Sequence, residues 1–358
     1  MTIHLFIAGT GGVGKALWEQ IRDKSGFLFQ NQDLTLEVNG IINSRKMILS
    51  HTPLPYNEPF NAPHWEEAHI DRFIHFIKRL QIPHAVFVDV TASASVAGAY
   101  LTLFQSGIHV VACNKIACAA PMAHYSRLKK VAAENKVAFL YNTNVGAALP
   151  YLQSIRQLYQ TGERIDKVEA VLSGTLNYIF DRYDGTTPFA QIVRDAQQAG
   201  YTEPDPRIDL QGIDVMRKLL ILCREMGVPL EESEVKKTSF LPEHGLQASI
   251  SIEEFYTALT QNEAHFKQLY QQAQKEGSKL KYVATYHKGM ATIGLQNVPP
   301  HNPIFGITQK DNILLIHSQN YPAPLTIMGA GAGAQVTAMG VLSDIVALAT
   351  EKISNFTL

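Results

Sequence analysis

The sequence predicts an α/β protein in which a doubly wound, mostly parallel sheet is followed by an α+β portion. Three observations carry this. Strand-like and helix-like segments alternate to about residue 142, the rhythm of parallel strands joined by crossover helices. A G-x-G-x-x-G run, Gly9, Gly11 and Gly14, directly follows the first apolar segment. Further on, helices and strands come in separate blocks, the segregation expected of an α+β unit.

In order, IHLFIAG (3–9) reads as a buried strand, VGKALWEQI (13–21) as the helix after it and LTLEVNGII (34–42) as a second strand. Ile70, Phe73, Ile74, Ile77 and Leu80 recur at helical spacing. AVFVDVTAS (85–93) has the apolar continuity of a central parallel strand. HVVACNK (109–115), a helix opened by Pro121 and VAFLYN (137–142) continue the alternation. Helices then read at LPYLQSIRQLY, PFAQIVRDAQQ and LQGIDVMRKLLILCREMG, with strands at KVEAVLSG, 279–287, 290–296 and 312–318. The glycine-rich GAGAGAQ (329–335) opens a last helix that returns to the first domain. The expected division is 1–142, completed by about 329–358, and 143–328.

A chain of 358 residues exceeds the size at which one hydrophobic core stops growing, which accords with two domains. Basic residues number 31 and acidic residues 32, for a net charge of -1, so no global field draws the chain to nucleic acid or to an anionic membrane. No run approaches the ~20 apolar residues of a membrane helix, and the start lacks a basic leader, so a cytoplasmic protein with a small-molecule partner is expected. Cys113, Cys118 and Cys223 have neither disulfide-framework nor zinc-ligand spacing and read as reduced thiols.

Glycines at 9, 11 and 14, between a strand and a helix, permit a tight turn, close backbone approach to a pyrophosphate and close helix packing. The first domain therefore reads as a Rossmann-type nucleotide domain. Where an acid at the end of the second strand would bind the ribose hydroxyls of NAD, the chain has Asn43, Ser44, Arg45 and Lys46. A hydroxyl and two cations suit a 2′-phosphate, which favours NADP(H), with NAD(H) as the alternative. A solvated basic loop is the rival reading.

The segment 200–222 opens on a loop with two prolines and carries Glu203, Asp205, Asp209, Asp214, Arg217 and Lys218. Asp214 and Lys218 stand four apart, on one helix face with the acid first. Reduction of an aldehyde requires a proton for the developing alkoxide. A lysine suits that task because desolvation brings its ammonium toward neutrality. A loop carboxylate such as Glu203 suits a substrate ammonium. Taken alone, the Asp and Lys pair is equally readable as a surface ion pair.

GTGGVG, VDVTAS (88–93), Asn114 with Lys115, TNVGAALP (143–150), SGTLNYIF (173–180), GYTEPDPR (200–207), GIDVMRKLLIL (212–222) and GAGAGAQVTAMGV (329–341) occur together and in order. That set resembles the homoserine dehydrogenase family over almost the whole chain, in particular the dehydrogenase portion of bifunctional aspartokinase and homoserine dehydrogenase enzymes. The resemblance implies NAD(P)H-dependent reduction of L-aspartate 4-semialdehyde to L-homoserine, in an α+β substrate and dimerisation domain that forms homodimers.

The resemblance also assigns residues. Lys218 and Lys115 become the proton-transfer and electrostatic residues, one on each domain and converging on one aldehyde, with Asp214 orienting the substrate amino group. Glu203, Asp209, Tyr201 and the Gly174–Thr175 backbone complete the substrate site. Gly9, Gly11, Gly12, Val13, Gly14, Thr91, Ser93, Asn114, Lys115 and Gly333 contact the dinucleotide. A monovalent cation is implied on backbone carbonyls of Val145, Ala147 and Leu149.

The sequence departs from the family pattern at Asn142, where a neutral amide replaces an acid beside the cation loop. It departs again at Ile208 and at Ala334 with Gln335. Neither a preceding kinase region nor a C-terminal regulatory domain is read, so threonine feedback is expected to lack its usual module. Two rival functions are a nucleotide-binding sensor that has lost catalysis and a different amino-acid dehydrogenase, such as one acting on aspartate. Intact Lys115, Glu203, Asp214 and Lys218 count against the first, and the 200–222 segment against the second.

Overall fold

The computed structural model describes residues 1–56, 64–242 and 251–350. The chain runs β1 (Thr2–Ala8), α1 (Gly12–Gln32), β2 (Thr35–Ile42), β3 (Lys46–Leu49), β4 (Glu66–Glu67), α2 (Ile70–Leu80), β5 (Ala85–Asp89), α3 (Ala94–Gly98), α4 (Tyr100–Phe104), β6 (His109–Ala112), α5 (Ile116–Ala119), α6 (Met122–Glu134) and β7 (Phe139–Leu140). It continues through α7 (Tyr151–Gln160), β8 (Ile165–Val171), α8 (Gly174–Arg182), α9 (Phe189–Gln198), α10 (Pro206–Leu210), α11 (Ile213–Glu225) and β9 (Val235–Thr238). Last come α12 (Ile252–Gln261), α13 (Glu263–Lys275), β10 (Lys279–His287), β11 (Met290–Val298), β12 (Asp311–Ser318), β13 (Leu325–Ala330) and α14 (Ala334–Thr350). Two compact units result, 1–148 with the chain from 332 onward, and 149–331. The end of the expected last helix, 351–358, lies outside the described residues.

In the first unit a sheet of order β4-β3-β2-β1-β5-β6-β7 forms. β1 lies parallel between β2 and β5, and β6 and β7 follow in parallel. β5 is buried along its whole length, as its continuous apolar run requires when helices cover both faces. The strand order reverses at β1, which opens a crevice beyond the carboxyl ends of β1 and β5. α14 brings Ala338, Val341, Leu342 and Ile345 to the same core as Leu5, Ile7, Leu17 and Ile21.

Three expectations change here. α1 extends well past residue 21, to Gln32, because Gly26 alone is too weak a breaker to stop it. The strand expected at 137–142 shrinks to β7, and Asn142–Asn144 form a 3-10 turn. The antiparallel β3 and β4 were not expected. β3 arises because the Asn43 side-chain oxygen accepts the backbone N–H groups of Arg45 and Lys46, both at 2.8 Å, and so turns the chain back after β2, and β4 pairs onto its outer edge.

In the second unit the sheet order is β13-β12-β8-β10-β11-β9, antiparallel except where β9 joins β11. Val171, Val283, Ile304, Ile313 and Leu315 lie in its core. Lys288 and Gly289, at φ 48 and 80, make the two-residue turn between β10 and β11 whose twist suits a hairpin. The single helix expected from 210 to 227 is divided at Gly212 into α10 and α11. β13 takes in Gly329 and Ala330, so the last helix starts at Ala334 rather than at the glycine run. Among the described residues no helix is long and apolar enough to cross a membrane.

His109, at the start of β6, is 6% exposed, and its Nδ1 accepts the Ala138 N–H at 2.9 Å. Burial, with His84 nearby, pushes this imidazole down to about 4 from its ordinary 6.5. The folded protein therefore keeps it neutral where the unfolded chain takes up a proton, so its stabilisation is present above 6.5 and is lost as pH falls toward 4. At pH 5 the loss is about 2 kcal/mol, from ~1.4 kcal/mol per unit of displacement. His109→Gln should flatten the fall in melting temperature between pH 7 and 5. An unchanged slope would place the acid sensitivity elsewhere.

Candidate active site

A cleft of about 850 Å³ opens at the carboxyl ends of β1, β2 and β5, lined by Gly9, Gly11, Ser44, Arg45, Thr91 and Ser93 among others. Its volume suits a bound small molecule. A Cβ on Gly14 would stand 2.1 Å from the Gly9 carbonyl oxygen, so the turn into α1 closes only with glycine there. Such a turn leaves Gly11 and Gly12 exposed at the start of α1, with Val13 half-buried behind them. That is the cradle a pyrophosphate requires at a helix N-terminus. The residues present thus fit a dinucleotide.

Thr10, within the run from Gly9 to Val13 expected to contact the dinucleotide, is tied in at the rim, because the Asn43 amide donates to its hydroxyl at 3.0 Å. Ser44 and Arg45 occupy the exposed turn beside the cleft, whereas Lys46 begins β3 and is not among the residues lining it. Gly333 precedes α14 in the same unit. A Cβ on Gly12 would meet the Ala334 side chain at 3.4 Å, which places the start of α14 beside the glycine loop.

Thr91, Ser93, Asn114 and Lys115 are arranged by a residue outside the expected set, Asp89. This carboxylate is fully buried and accepts from the Thr91 N–H at 2.8 Å, the Thr91 hydroxyl at 2.7 Å, the Tyr100 hydroxyl at 2.6 Å and the Asn114 amide at 3.0 Å. Burial raises its pKa and the four donors oppose that rise. Asn114 also donates to the Ser93 carbonyl at 2.9 Å and accepts the Ile116 N–H, which sets Lys115 at the N-terminal end of α5. A signal was available, since an acid within the apolar run VFVDV must find partners once buried. Burial also pushes the neighbouring Cys113 thiol up to about 11.

In the second unit the expected substrate residues form one group. The Thr175 hydroxyl donates to the Tyr201 carbonyl at 2.5 Å and also meets Asp209. The Glu203 N–H donates to Asp209 at 2.8 Å. Burial raises the Asp209 pKa, and the charges of Glu203 and Asp214 add to that rise. Lys218 is only 8% exposed; its Nζ stands 2.7 Å from Asp214 and donates to the Leu172 carbonyl at 2.7 Å. It is therefore not half of a surface ion pair, although Asp214 is exposed. Gly174 sits where a Cβ would lie 2.8 Å from the Lys310 carbonyl oxygen, a close approach that brings the first turn of α8 against that backbone.

The carbonyl set implied for a monovalent cation is not assembled with an acid from its own loop. Asn142 donates its amide to Asp344 at 2.5 Å and its backbone N–H to the same carboxylate at 3.1 Å. Val145 and Ala147 are buried in the first unit, while the Leu149 carbonyl, in the second, accepts the Tyr151 N–H at 2.8 Å. Asn142 itself brings no negative charge to this loop, and none of the chemistry proposed below depends on a cation.

Two family profiles match the chain, "Homoserine dehydrogenase, NAD binding domain" over residues 9–142 and "Homoserine dehydrogenase" over residues 150–346. The chain belongs to the homoserine dehydrogenase family. It is 36% identical over 356 residues to the chloroplastic bifunctional aspartokinase/homoserine dehydrogenase 1 of Arabidopsis thaliana, a match covering 97% of this chain and 39% of that one. It thus spans about two fifths of the length of the bifunctional relatives it matches. A Schizosaccharomyces pombe homoserine dehydrogenase is 32% identical, with 98% of this chain and 96% of that one covered. A hyperthermophilic archaeal homoserine dehydrogenase in complex with NADPH shares the fold at a TM-score of 0.75 and 22% identity, with 97% of each chain covered.

Asp344 on α14 answers the amide at 142, so an acid at 142 would face another carboxylate. Asn142→Asp should lower the melting temperature at low ionic strength by several degrees, on the scale of ~2–4 °C per kcal/mol for a unit of this size. Sodium or potassium chloride should recover part of the loss. A variant as stable as the wild type without added salt would mean that Asp344 is not charged.

Proposed function

We propose that this protein catalyses the reversible NAD(P)H-dependent reduction of L-aspartate 4-semialdehyde to L-homoserine, on the route to threonine and methionine. The observation that carries the proposal is buried Lys218, held by Asp214 and the Leu172 carbonyl next to the group of Thr175, Tyr201, Glu203 and Asp209. A binding role alone does not call for an oriented, buried ammonium beside three carboxylates.

When bound, the nicotinamide supplies the hydride that reaches the aldehyde carbon. The chain's part is to orient, to neutralise and to deliver a proton. Two of the three Lys218 N–H groups have protein acceptors, which leaves one for the substrate oxygen as charge builds on it. Proton transfer from this ammonium gives the alcohol, and the reverse reaction returns it. Glu203 and Asp209 supply the negative charge that an α-ammonium requires. Lys115, placed by Asn114 and Asp89, is the second positive charge of this reading.

NADP(H) is the preferred cofactor in this reading, supported by Ser44 and Arg45 at the cleft and by the archaeal relative solved with NADPH. Lys46 has the weaker claim because it starts β3. The second unit carries the homodimer surface, in line with exposed Met290 and Met328 on its strands. The protein is cytoplasmic in this reading.

An absorbance assay at the reduced-nicotinamide band, with L-homoserine and each dinucleotide, tests the reaction directly. Arg45→Ala should raise the KM for NADP(H) about 10- to 100-fold more than that for NAD(H), the worth of one charge-assisted contact of ~1.5–3 kcal/mol. Equal effects on both cofactors would dispose of the phosphate assignment. Lys218→Met, which keeps the buried volume, should reduce kcat by ~10²–10⁴-fold, and Lys115→Ala should also reduce it steeply. The reading is falsified if both variants keep near-normal turnover.

A further inference from the structure

An amino acid presents an ammonium and a carboxylate on one carbon, so a site that selects it needs opposite charges a few ångströms apart. The acids of the second unit answer the ammonium. Most cations around them are already taken up. Lys218 is held by Asp214 and Leu172, and Arg207 forks onto both oxygens of Asp205. Fully buried Lys281 donates to the Asn177 side chain at 2.9 Å and to the Ile307 carbonyl at 2.6 Å.

Lys310 differs from these. Its ammonium stands 4.0 Å from the centroid of the Tyr201 ring, and among the described residues no carboxylate pairs with it. A cation over an aromatic face keeps its N–H groups available for another partner. Its backbone is also fixed. Asn177 donates to the carbonyls of Gln309 and Asp311 at 3.1 and 3.4 Å, Asp181 accepts the Gln309 N–H at 3.0 Å, and Gly174 packs on the Lys310 carbonyl. The tyrosine beneath the ammonium is the one whose carbonyl binds Thr175, which in turn meets Asp209.

We propose that Lys310 reads the α-carboxylate of the substrate, as the positive counterpart of Glu203 and Asp209 across Tyr201, and so makes the site selective for a zwitterionic amino acid over its neutral-carboxyl analogues. This rests on the reaction proposed above.

The full chain, with NADP+ present, is titrated by calorimetry with L-2-aminobutyrate and with its amide, which differ only in the carboxyl charge. The wild type should favour the acid. Lys310→Gln should narrow that preference about tenfold and raise the KM for L-homoserine by a similar factor, with kcat and the KM for the dinucleotide within about twofold of wild type. Lys310→Arg should restore most of the preference. A lysine that merely props the loop would change affinity for both ligands alike, so an unchanged ratio in Lys310→Gln overturns the proposal. Wild type that discriminates between the two ligands yet turns over no L-homoserine overturns the proposed reaction and leaves this role standing. Binding of neither ligand overturns the role given to Lys310, and absence of L-homoserine turnover alone decides against the reaction.

Discussion

A carboxylate without water holds the cofactor side of this protein in order. Asp89 sits at the end of a buried strand, where an unpaired charge would cost several kcal/mol, and it collects donors from three separate segments. Those segments carry Thr91, Asn114 and, through Asn114, the start of α5 with Lys115. The requirement to satisfy one acid therefore sets the spacing of residues 25 positions apart in sequence. The glycine turn beside it is rigid for a steric reason, the contact between Gly9 and Gly14, which leaves no room for a side chain.

The second unit meets the same requirement with buried cations. Lys281 joins β10 to α8 and to the turn before β12, and Lys218 joins α11 to the end of β8. Each bridges elements distant in sequence, so the elements around the residues proposed to meet the substrate are tied together by buried hydrogen bonds. Burial raises the Asp209 pKa, and the charges of Glu203 and Asp214 beside it add to that rise.

Where local chemistry decides the outcome, the sequence was a good guide. The strand, glycine turn and helix at the start follow from short-range sterics, and the burial of β5 from its unbroken apolar run. At 43–46 the fold adds what the sequence does not show. The hydroxyl and two cations read there as a 2′-phosphate site are divided by the Asn43 side chain, which turns the chain so that Ser44 and Arg45 stay by the cleft while Lys46 enters an antiparallel strand. The helix expected from 210 to 227 breaks at Gly212 because that residue takes a left-handed conformation, which apolar periodicity does not report.

By itself the sequence determined the family, the nucleotide turn and the set of acids with one lysine in 200–222, because each is written in contiguous residues with strong local preferences. Tertiary structure alone decided whether Lys218 was a solvated partner of Asp214 or a buried one, since an i,i+4 spacing is the same in both cases and only packing removes the water. It decided likewise that Asp344 faces Asn142 across 202 positions, and that Lys310 stands on Tyr201. No motif links those residues, and a hydrogen bond or a cation over a ring depends on distance in space, which sequence separation does not encode.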